Sequence, residues 1–453
     1  MSQSDFDETE IRDEGVTELH GPNLRKSMLA GVAWKLLGHG FAQVMRSVVG
    51  IVLAHLLAPS DFGLAAVALI YIGVTGIFTD LALGAALVQR RVVTEEDRST
   101  GFWTTLGVGT LLTLLGVALS PVIAWALSAP AAEPLIAATS SMVFLSSLGL
   151  TQTAILTREL RFRSLELRNF IGTIFGAAVA LPVALAGFGA WAIVSQALAS
   201  TAISSVLVWR LSTWRPKLIY STESFRSLGS FGGKTVIAQF LGFLSLYADN
   251  ILIARFLGTT ALGIYSVAYN VMFVPVMRVA QPIQDVVFAG FAKLQGEPHR
   301  LRDAWLRGTV LVSSLNAAAF LGMVVVAPDF VYVVLGEKWA PAVRVLQLLS
   351  LAGVAQSFMT LNWSTMQAIG RAGTSLKLRL FSVPLIIAAF AGGLHWGLQG
   401  VAGLYAVARS IIVVVSLVVM SRALGAALGP VLIRLAQVLA HCLAMAAIVF
   451  GLR

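Results

Sequence analysis

The chain has 453 residues, 57% hydrophobic and only 12% charged, with a net charge of +10. A soluble domain carries about 25% charged and about 45–50% apolar residues, so this composition and a mean hydropathy of +0.83 exclude a soluble enzyme, a disordered chain and a disulfide scaffold. Lys+Arg number 32 against 22 Asp+Glu, which in so apolar a chain is the positive-inside bias of a membrane protein, and no nucleic-acid partner is expected.

In chain order, residues 1–23 come first. They hold Asp5, Asp7, Glu8, Glu10, Asp13, Glu14 and Glu18, with no basic start and no apolar core of a secretory signal. They read as a disordered acidic cytoplasmic tail. A membrane-spanning helix needs about 20 mostly apolar residues. The stretches that qualify are Ser27–Leu57, Phe62–Val88, Gly101–Leu127, Pro134–Leu156, Arg168–Ala186 and Ala190–Leu211, then Leu228–Leu257, Ala261–Phe291, Trp305–Ala327, Pro341–Ile369, Leu376–Gly392, Leu398–Met420 and Val431–Gly451. None shows the apolar–polar alternation of a membrane barrel.

Basic residues test this map. Counting loops by the span they follow, the N-terminal flank and the even loops with their edges carry Arg12, Arg25 and Lys26; Arg90, Arg91 and Arg98; Arg158, Arg161, Arg163 and Arg168; Arg210, Arg215, Lys217 and Arg226; Lys293, Arg300, Arg302 and Arg307; Arg371, Lys377 and Arg379; and Arg422 and Arg434. Odd loops hold only Lys338 and Arg344. That asymmetry places the N-terminus and even loops in the cytoplasm. The odd loops are short, which leaves no large extracytoplasmic domain.

The chain repeats itself. Ile51, Ala54, Leu57, Gly63 and Ala68 match Ile251, Ala254, Leu257, Gly263 and Ala268 at an offset of 200. Ser164–Arg168 resembles Ser375–Arg379 at an offset of 211. Six helices per unit is an even number, so both halves enter the membrane in the same sense. Parallel repeats enclose substrate sites near the midplane. The fold class is therefore an all-α polytopic membrane protein with two parallel six-helix lobes around a central cavity. The lobes are 24–211 and 228–425, joined by a cytoplasmic linker, 212–227, and followed by an additional C-terminal helix within 426–453.

A charge at the bilayer centre costs about 2.5–3.5 kcal/mol on insertion scales and belongs in a wet cavity or beside a partner. Lys234, Arg255 and His55 lie near helix ends, where they can snorkel. Lys35, His39 and Arg46 instead share one helical face, with Lys35 and Arg46 about 16 Å apart along the axis, too far to reach one surface. Arg278, Gln281 and Asp285 form a second polar face, Arg409 sits mid-helix, and Asp249 and Asn250 lie two turns from a helix end. Lys35, Arg46, Arg278 and Arg409 are the candidate lining of one cationic cavity. The alternative is buried pairing of Arg278 or Arg409 with Asp249 or Asp285. Guanidinium forks match phosphate oxygens in pairs, so the expected substrate is a lipid bearing phosphate or pyrophosphate and a polar head.

Covalent chemistry has no apparatus here. Gly229–Thr235 only superficially resembles a phosphate loop, since its spacing fails. No His-Glu-x-x-His motif occurs, no metal or cofactor is expected, and Cys442 stands alone. Transport would run on substrate supply or on a Na+ or H+ gradient.

Several stretches together resemble the Wzx-type oligosaccharide flippases, the polysaccharide transporter family within the multidrug/oligosaccharidyl-lipid/polysaccharide exporter superfamily. They are Leu56–Leu64, Asp80–Arg90, Thr94–Trp103, Arg158–Phe162, Gly187–Ala192, Asp249-Asn250 before Ala261–Tyr265, and Gly336–Pro341. The resemblance covers roughly residues 27–420. It implies two lobes in a V, and movement of undecaprenyl-pyrophosphate-linked oligosaccharide from the cytoplasmic to the periplasmic leaflet of the inner membrane. It also implies pyrophosphate binding by Lys35 and Arg46, cation coupling at Asp249 by analogy, and a place beside a polysaccharide polymerase and co-polymerase. The chain departs from the many relatives with fourteen helices. Rival readings are a cation-coupled drug exporter, which would favour cavity acids; a membrane polymerase, which would need a long extracytoplasmic loop; and a non-transporting scaffold.

Overall fold

The computed structural model describes residues 40–80, 84, 87–88, 90, 93–275, 290–291, 294 and 296–452. The acidic tail lies outside the described residues. The helices, numbered in chain order, are α1 Gly40–Leu56, α2 Pro59–Asp80, α3 Glu95–Ala126, α4 Glu133–Arg158, α5 Phe162–Leu185 and α6 Trp191–Leu211. They continue as α7 Thr222–Pro275, α8 Pro298–Phe330, α9 Ala342–Ser357, α10 Asn362–Ala368, α11 Ala372–Gly393, α12 Gly397–Leu424 and α13 Leu428–Gly451. Ten helical stretches among the described residues are long and apolar enough to cross a membrane, so the chain is a multi-pass, all-α membrane protein.

Local chemistry sets several boundaries. Thr94 and Asp97 close a capping box on α3: the Thr94 hydroxyl accepts the Asp97 N–H and the Asp97 carboxylate accepts the Thr94 N–H, both at 3.1 Å. The expected seventh and eighth spans are two helices, together called α7, that meet at Gly258, whose backbone is not helical (φ 85°, ψ 174°) and whose positive φ a side chain would resist. Its arms are α7a, 222–257, and α7b, 259–275. The expected tenth span is broken into α9 and α10. The ninth runs past Ala327 and ends in a π turn, Val331–Leu335, just after Pro328. The thirteenth is a full helix whose buried stripe is Val431, Leu435, Val438, Cys442 and Ala446. It lies on α8, where the Cys442 thiol points at the Ser314 carbonyl, 3.8 Å away.

The lobes meet through residues related by the repeat. Gly63 on α2 abuts Thr259, and Gly263 on α7b abuts Pro59. Thr259 is the repeat equivalent of Pro59, as Gly263 is of Gly63, so the contact is reciprocal, as across a two-fold axis. Lacking side chains, the two glycines let backbone touch backbone. Lower down, Ile70 and Ile77 of α2 pack on Phe243 of α7a.

These glycines lie at the end of the molecule opposite the arginine-rich loops, here called the far end. Two further contacts join the lobes there. The Lys338 ammonium donates to the His55 and Leu57 carbonyls, each at 2.7 Å, and the Trp339 indole N–H donates to the Ala54 carbonyl at 2.9 Å. A helix leaves its last carbonyls unpaired, so Lys338 and Trp339 cap α1 from the opposite lobe. This explains a lysine at the end of the molecule that carries few basic residues. Arg255, at the end of α7a, in turn donates to the Ser128 hydroxyl.

At the basic end the linker is fastened to the start of α3. The Trp214 indole donates to Glu95 at 3.0 Å, the Trp103 indole to the Lys217 carbonyl at 2.8 Å, and the Ser221 N–H to the Thr100 hydroxyl at 2.9 Å. Arg90 bridges Asp97, at 2.5 Å, to Ser227 on α7a, at 2.9 Å. Burial alone would raise the Asp97 carboxyl. Hydrogen bonds from Thr94 and Ser224 and the Arg90 charge outweigh it and hold that carboxyl below the usual carboxylate range.

Candidate functional site

The bend at Gly258 builds the first part of the site. Asp249 and Tyr265 are sixteen residues apart, about 24 Å along a straight helix. Folded back at Gly258, α7 brings the Tyr265 hydroxyl to 2.8 Å from Asp249 Oδ2, while the Asn250 N–H donates to Oδ1 at 2.8 Å. Asp249 is buried, 4% exposed. Its carboxylate is thus satisfied by donors within its own helix pair.

Arg409 arrives from α12. Its Nε donates to the Tyr405 hydroxyl one turn earlier, at 2.9 Å, and its guanidinium lies 5.0 Å from the centre of that ring. Tyr405 is held in turn by stacking on Phe390 of α11. Arg409 lies within electrostatic reach of Asp249, Tyr265 and Tyr269. The C-lobe therefore holds an acid and an arginine separated by tyrosine hydroxyls.

Arg409 also lines a cavity of about 330 Å³ between α7a, α10, α11 and α12. Its polar walls come from Asn362, Thr374, Ser375, Arg379, Ser382 and Ser416, and its apolar walls from residues such as Leu246, Met366 and Ile412. The Asn362 amide is fixed by the Trp305 indole at 3.0 Å and the Ser416 hydroxyl at 2.9 Å. Arg379 lies flat on Trp363, 3.8 Å from the ring centre.

Arg46 sits in the other lobe. Ala42, Arg46, Val49 and Leu53 share one stripe of α1; the three apolar residues are buried and Arg46 is exposed. The Arg46 guanidinium donates to the Gln43 amide oxygen at 3.2 Å and lies within electrostatic reach of Glu166 on α5. Arg168, which donates to the Thr153 hydroxyl at 2.8 Å, reaches the same Glu166.

The structure thus brings Arg409, Asp249 and Asn250 together in the C-lobe and places Arg46 with Glu166 in the N-lobe. The cavity at Arg409 does not include Arg46. Lys35, Arg278 and Asp285 lie outside the described residues. Sequence reasoning missed Trp363 and treated Arg379 as one more loop cation. The signal for Arg379 was present in the repeat, where it matches Arg168. Among the described residues no group of three His, Cys, Asp or Glu could hold a metal ion.

Comparison with known proteins gives consistent answers. A family model described as "Polysaccharide biosynthesis protein" matches residues 52–344. The chain is 30% identical over 399 residues to the lipopolysaccharide biosynthesis protein WzxC of Escherichia coli (strain K12), covering 84% of this chain and 78% of that one. It is 26% identical over 383 residues to the teichuronic acid biosynthesis protein TuaB of Bacillus subtilis (strain 168), covering 82% and 79%. Among solved structures, the lipid II flippase MurJ in an inward closed conformation superposes with a TM-score of 0.74 at 13% identity, covering 91% of this chain and 92% of that one.

Proposed function

The chain belongs to this polysaccharide biosynthesis family, and from that premise we propose that it is a flippase for undecaprenyl-pyrophosphate-linked oligosaccharide. It moves repeat units from the cytoplasmic to the periplasmic leaflet of the bacterial inner membrane, for exopolysaccharide or lipopolysaccharide assembly, and makes or breaks no covalent bond. The observation that carries this reading is an arginine deep in the membrane, Arg409, lining a cavity with hydroxyl and amide groups around it.

The basic end is the cytoplasmic one in this reading, so the N-terminus is cytoplasmic too. The far end is sealed by the glycine contact and by Lys338, Trp339 and Arg255. In this reading a substrate made in the cytoplasm enters from the basic end. Rocking of the lobes then breaks the far-end contacts and exposes the substrate to the periplasm. Lys35, Arg46, Arg278 and Arg409 bind the pyrophosphate, and the polymerase and co-polymerase receive the glycan. Coupling runs through Asp249. The coupling gradient is Na+ or H+, and Asp249 is held for it by the Tyr265 hydroxyl and the Asn250 N–H.

The test is a deletion strain complemented with wild type, Arg46→Ala, Arg278→Ala or Arg409→Ala. The deletion should accumulate single repeat units on undecaprenyl pyrophosphate in the cytoplasmic leaflet, without surface polymer. Each variant should reach the membrane at wild-type amount yet fail to restore export. Full export by all three would overturn the cationic-cavity reading. Unpolymerised units in the outer leaflet of the deletion strain would reassign the chain to polymerisation.

A further inference from the structure

We propose that the C-lobe cavity is a headgroup subsite for a phosphate-bearing polyprenyl lipid, with Arg379 at its mouth and Arg409 at its floor. The proposal rests on the flippase reading and adds to it a binding place inside one lobe, apart from the space between the two.

Depth is the first argument. Arg379 is seven residues into α11, about 10 Å from the basic end, and Arg409 is fifteen residues short of the end of α12, about 22 Å deep. The cavity therefore descends from the level of a headgroup to the middle of the membrane. Its volume of about 330 Å³ lies at the small end of the range for ligand sites. A diphosphate with the first isoprene unit or the first sugar would fill it.

Charge is the second. Two guanidiniums line the cavity together with the Ser382 and Ser416 hydroxyls, and among the described residues no carboxylate lines it. Arg379 makes no ion pair among the described residues. It rests instead on the face of Trp363. A cation over a ring face keeps its edge N–H donors free for an oxygen ligand. A phosphate would draw Arg379 from the indole by offering paired, charge-assisted hydrogen bonds. Trp363 would then present its face to the apolar side of the adjoining sugar or isoprene.

Lining chemistry is the third. The apolar walls are methionine, leucine, isoleucine and valine side chains. A free inorganic anion would gain nothing from them, whereas a lipid phosphate would bury its first carbons there.

The test uses the full chain in nanodiscs and three probes: farnesyl pyrophosphate, farnesol and inorganic pyrophosphate. Farnesyl pyrophosphate should bind tightest. Arg379→Gln should weaken it about tenfold or more, the loss expected for a hydrogen bond to a charged group. Arg379→Lys, which keeps the charge but loses the fork and the stack, should fall between. Trp363→Leu supplies a second variant, expected to weaken binding several-fold, and Lys377→Gln, exposed and outside the cavity, should bind as wild type. Equal affinity for inorganic pyrophosphate would make this a free-anion site and overturn the proposal. So would equal affinity for farnesol, or unchanged binding by both Arg379→Gln and Trp363→Leu. Wild-type proteoliposomes that bind the probe but move no labelled lipid would refute the flippase reading and leave the subsite standing.

Discussion

Replacing Gly63 or Gly263 with alanine tests how the lobes close. A Cβ on Gly63 would overlap the Thr259 carbonyl oxygen and stand 2.5 Å from its carbon; on Gly263 it would overlap the Pro59 oxygen and stand 2.8 Å from its carbon. Carbon atoms in contact prefer about 3.5–4.0 Å, so the helices must part by about 1 Å. Both obstacles are backbone and cannot turn aside as a side chain would. Forcing an extra carbon into a packed contact costs about 1–3 kcal/mol. If the contact belongs only to the state closed at the far end, that cost shifts the equilibrium about 5- to 150-fold toward the open state. The two substitutions act on one contact, so the double variant should exceed either single one by less than their sum. The assay is labelling of a cysteine placed at the far end, in a Cys442→Ala background, by a membrane-impermeant maleimide. Labelling should rise in Gly63→Ala and Gly263→Ala, and export should slow while the protein stays in the membrane. Unchanged labelling with full export by both variants would refute the claim that this backbone contact opens during transport.

Two further outcomes are expected. Lys338→Gln keeps a donor for the α1 carbonyls, whereas Lys338→Ala leaves the His55 and Leu57 carbonyls without theirs. Far-end labelling should therefore rise more for alanine than for glutamine, by about 1–3 kcal/mol of lost capping at most, and equal labelling would show that the cap does no work. At the basic end, the Asp97 carboxyl is depressed in the folded protein. Its contribution is therefore fully present above its unfolded range and is lost only as pH falls through the lower folded value. The linker should resist proteolysis equally from neutral to mildly acidic pH and loosen only below the usual carboxylate range, and Asp97→Asn should remove that dependence.

The fold was legible because the forces that set it leave long patterns. Runs of about 20 apolar residues mark spans whatever their neighbours are. The seventh and eighth spans part at Gly258, as expected, but the break of the tenth span at 358–361 was not legible, because no glycine or proline marks those residues. Site residues depend on which helices touch. Asp249 and Arg409 were visible as charges where charge is costly. Tyr265 and Tyr405, which stand beside them, look like ordinary apolar-face residues until α7 folds back. Lys338 looked like an exception to the charge bias, and only the α1 carbonyls supplied by the other lobe account for it.

The repeat itself points to where function departs from scaffold. At an offset of 211, Arg379 matches Arg168 and Lys377 matches Glu166; at an offset of 200, Leu246 matches Arg46. In the N-lobe, Glu166 reaches both Arg46 and Arg168, so charges of both signs share that place. In the C-lobe the acid has become an exposed lysine, the α1-type arginine has become a leucine, and Leu246 and Arg379 both line the cavity. A duplicated scaffold would otherwise give both lobes the same interior. The C-lobe copy carries a lysine where the N-lobe has Glu166, so Arg379 faces the cavity without an acid at that repeat position. The residues that break the symmetry are therefore the ones that make an anionic substrate welcome on one side of the pseudo-two-fold axis, while the residues that obey it, Gly63 and Gly263, hold the two sides together.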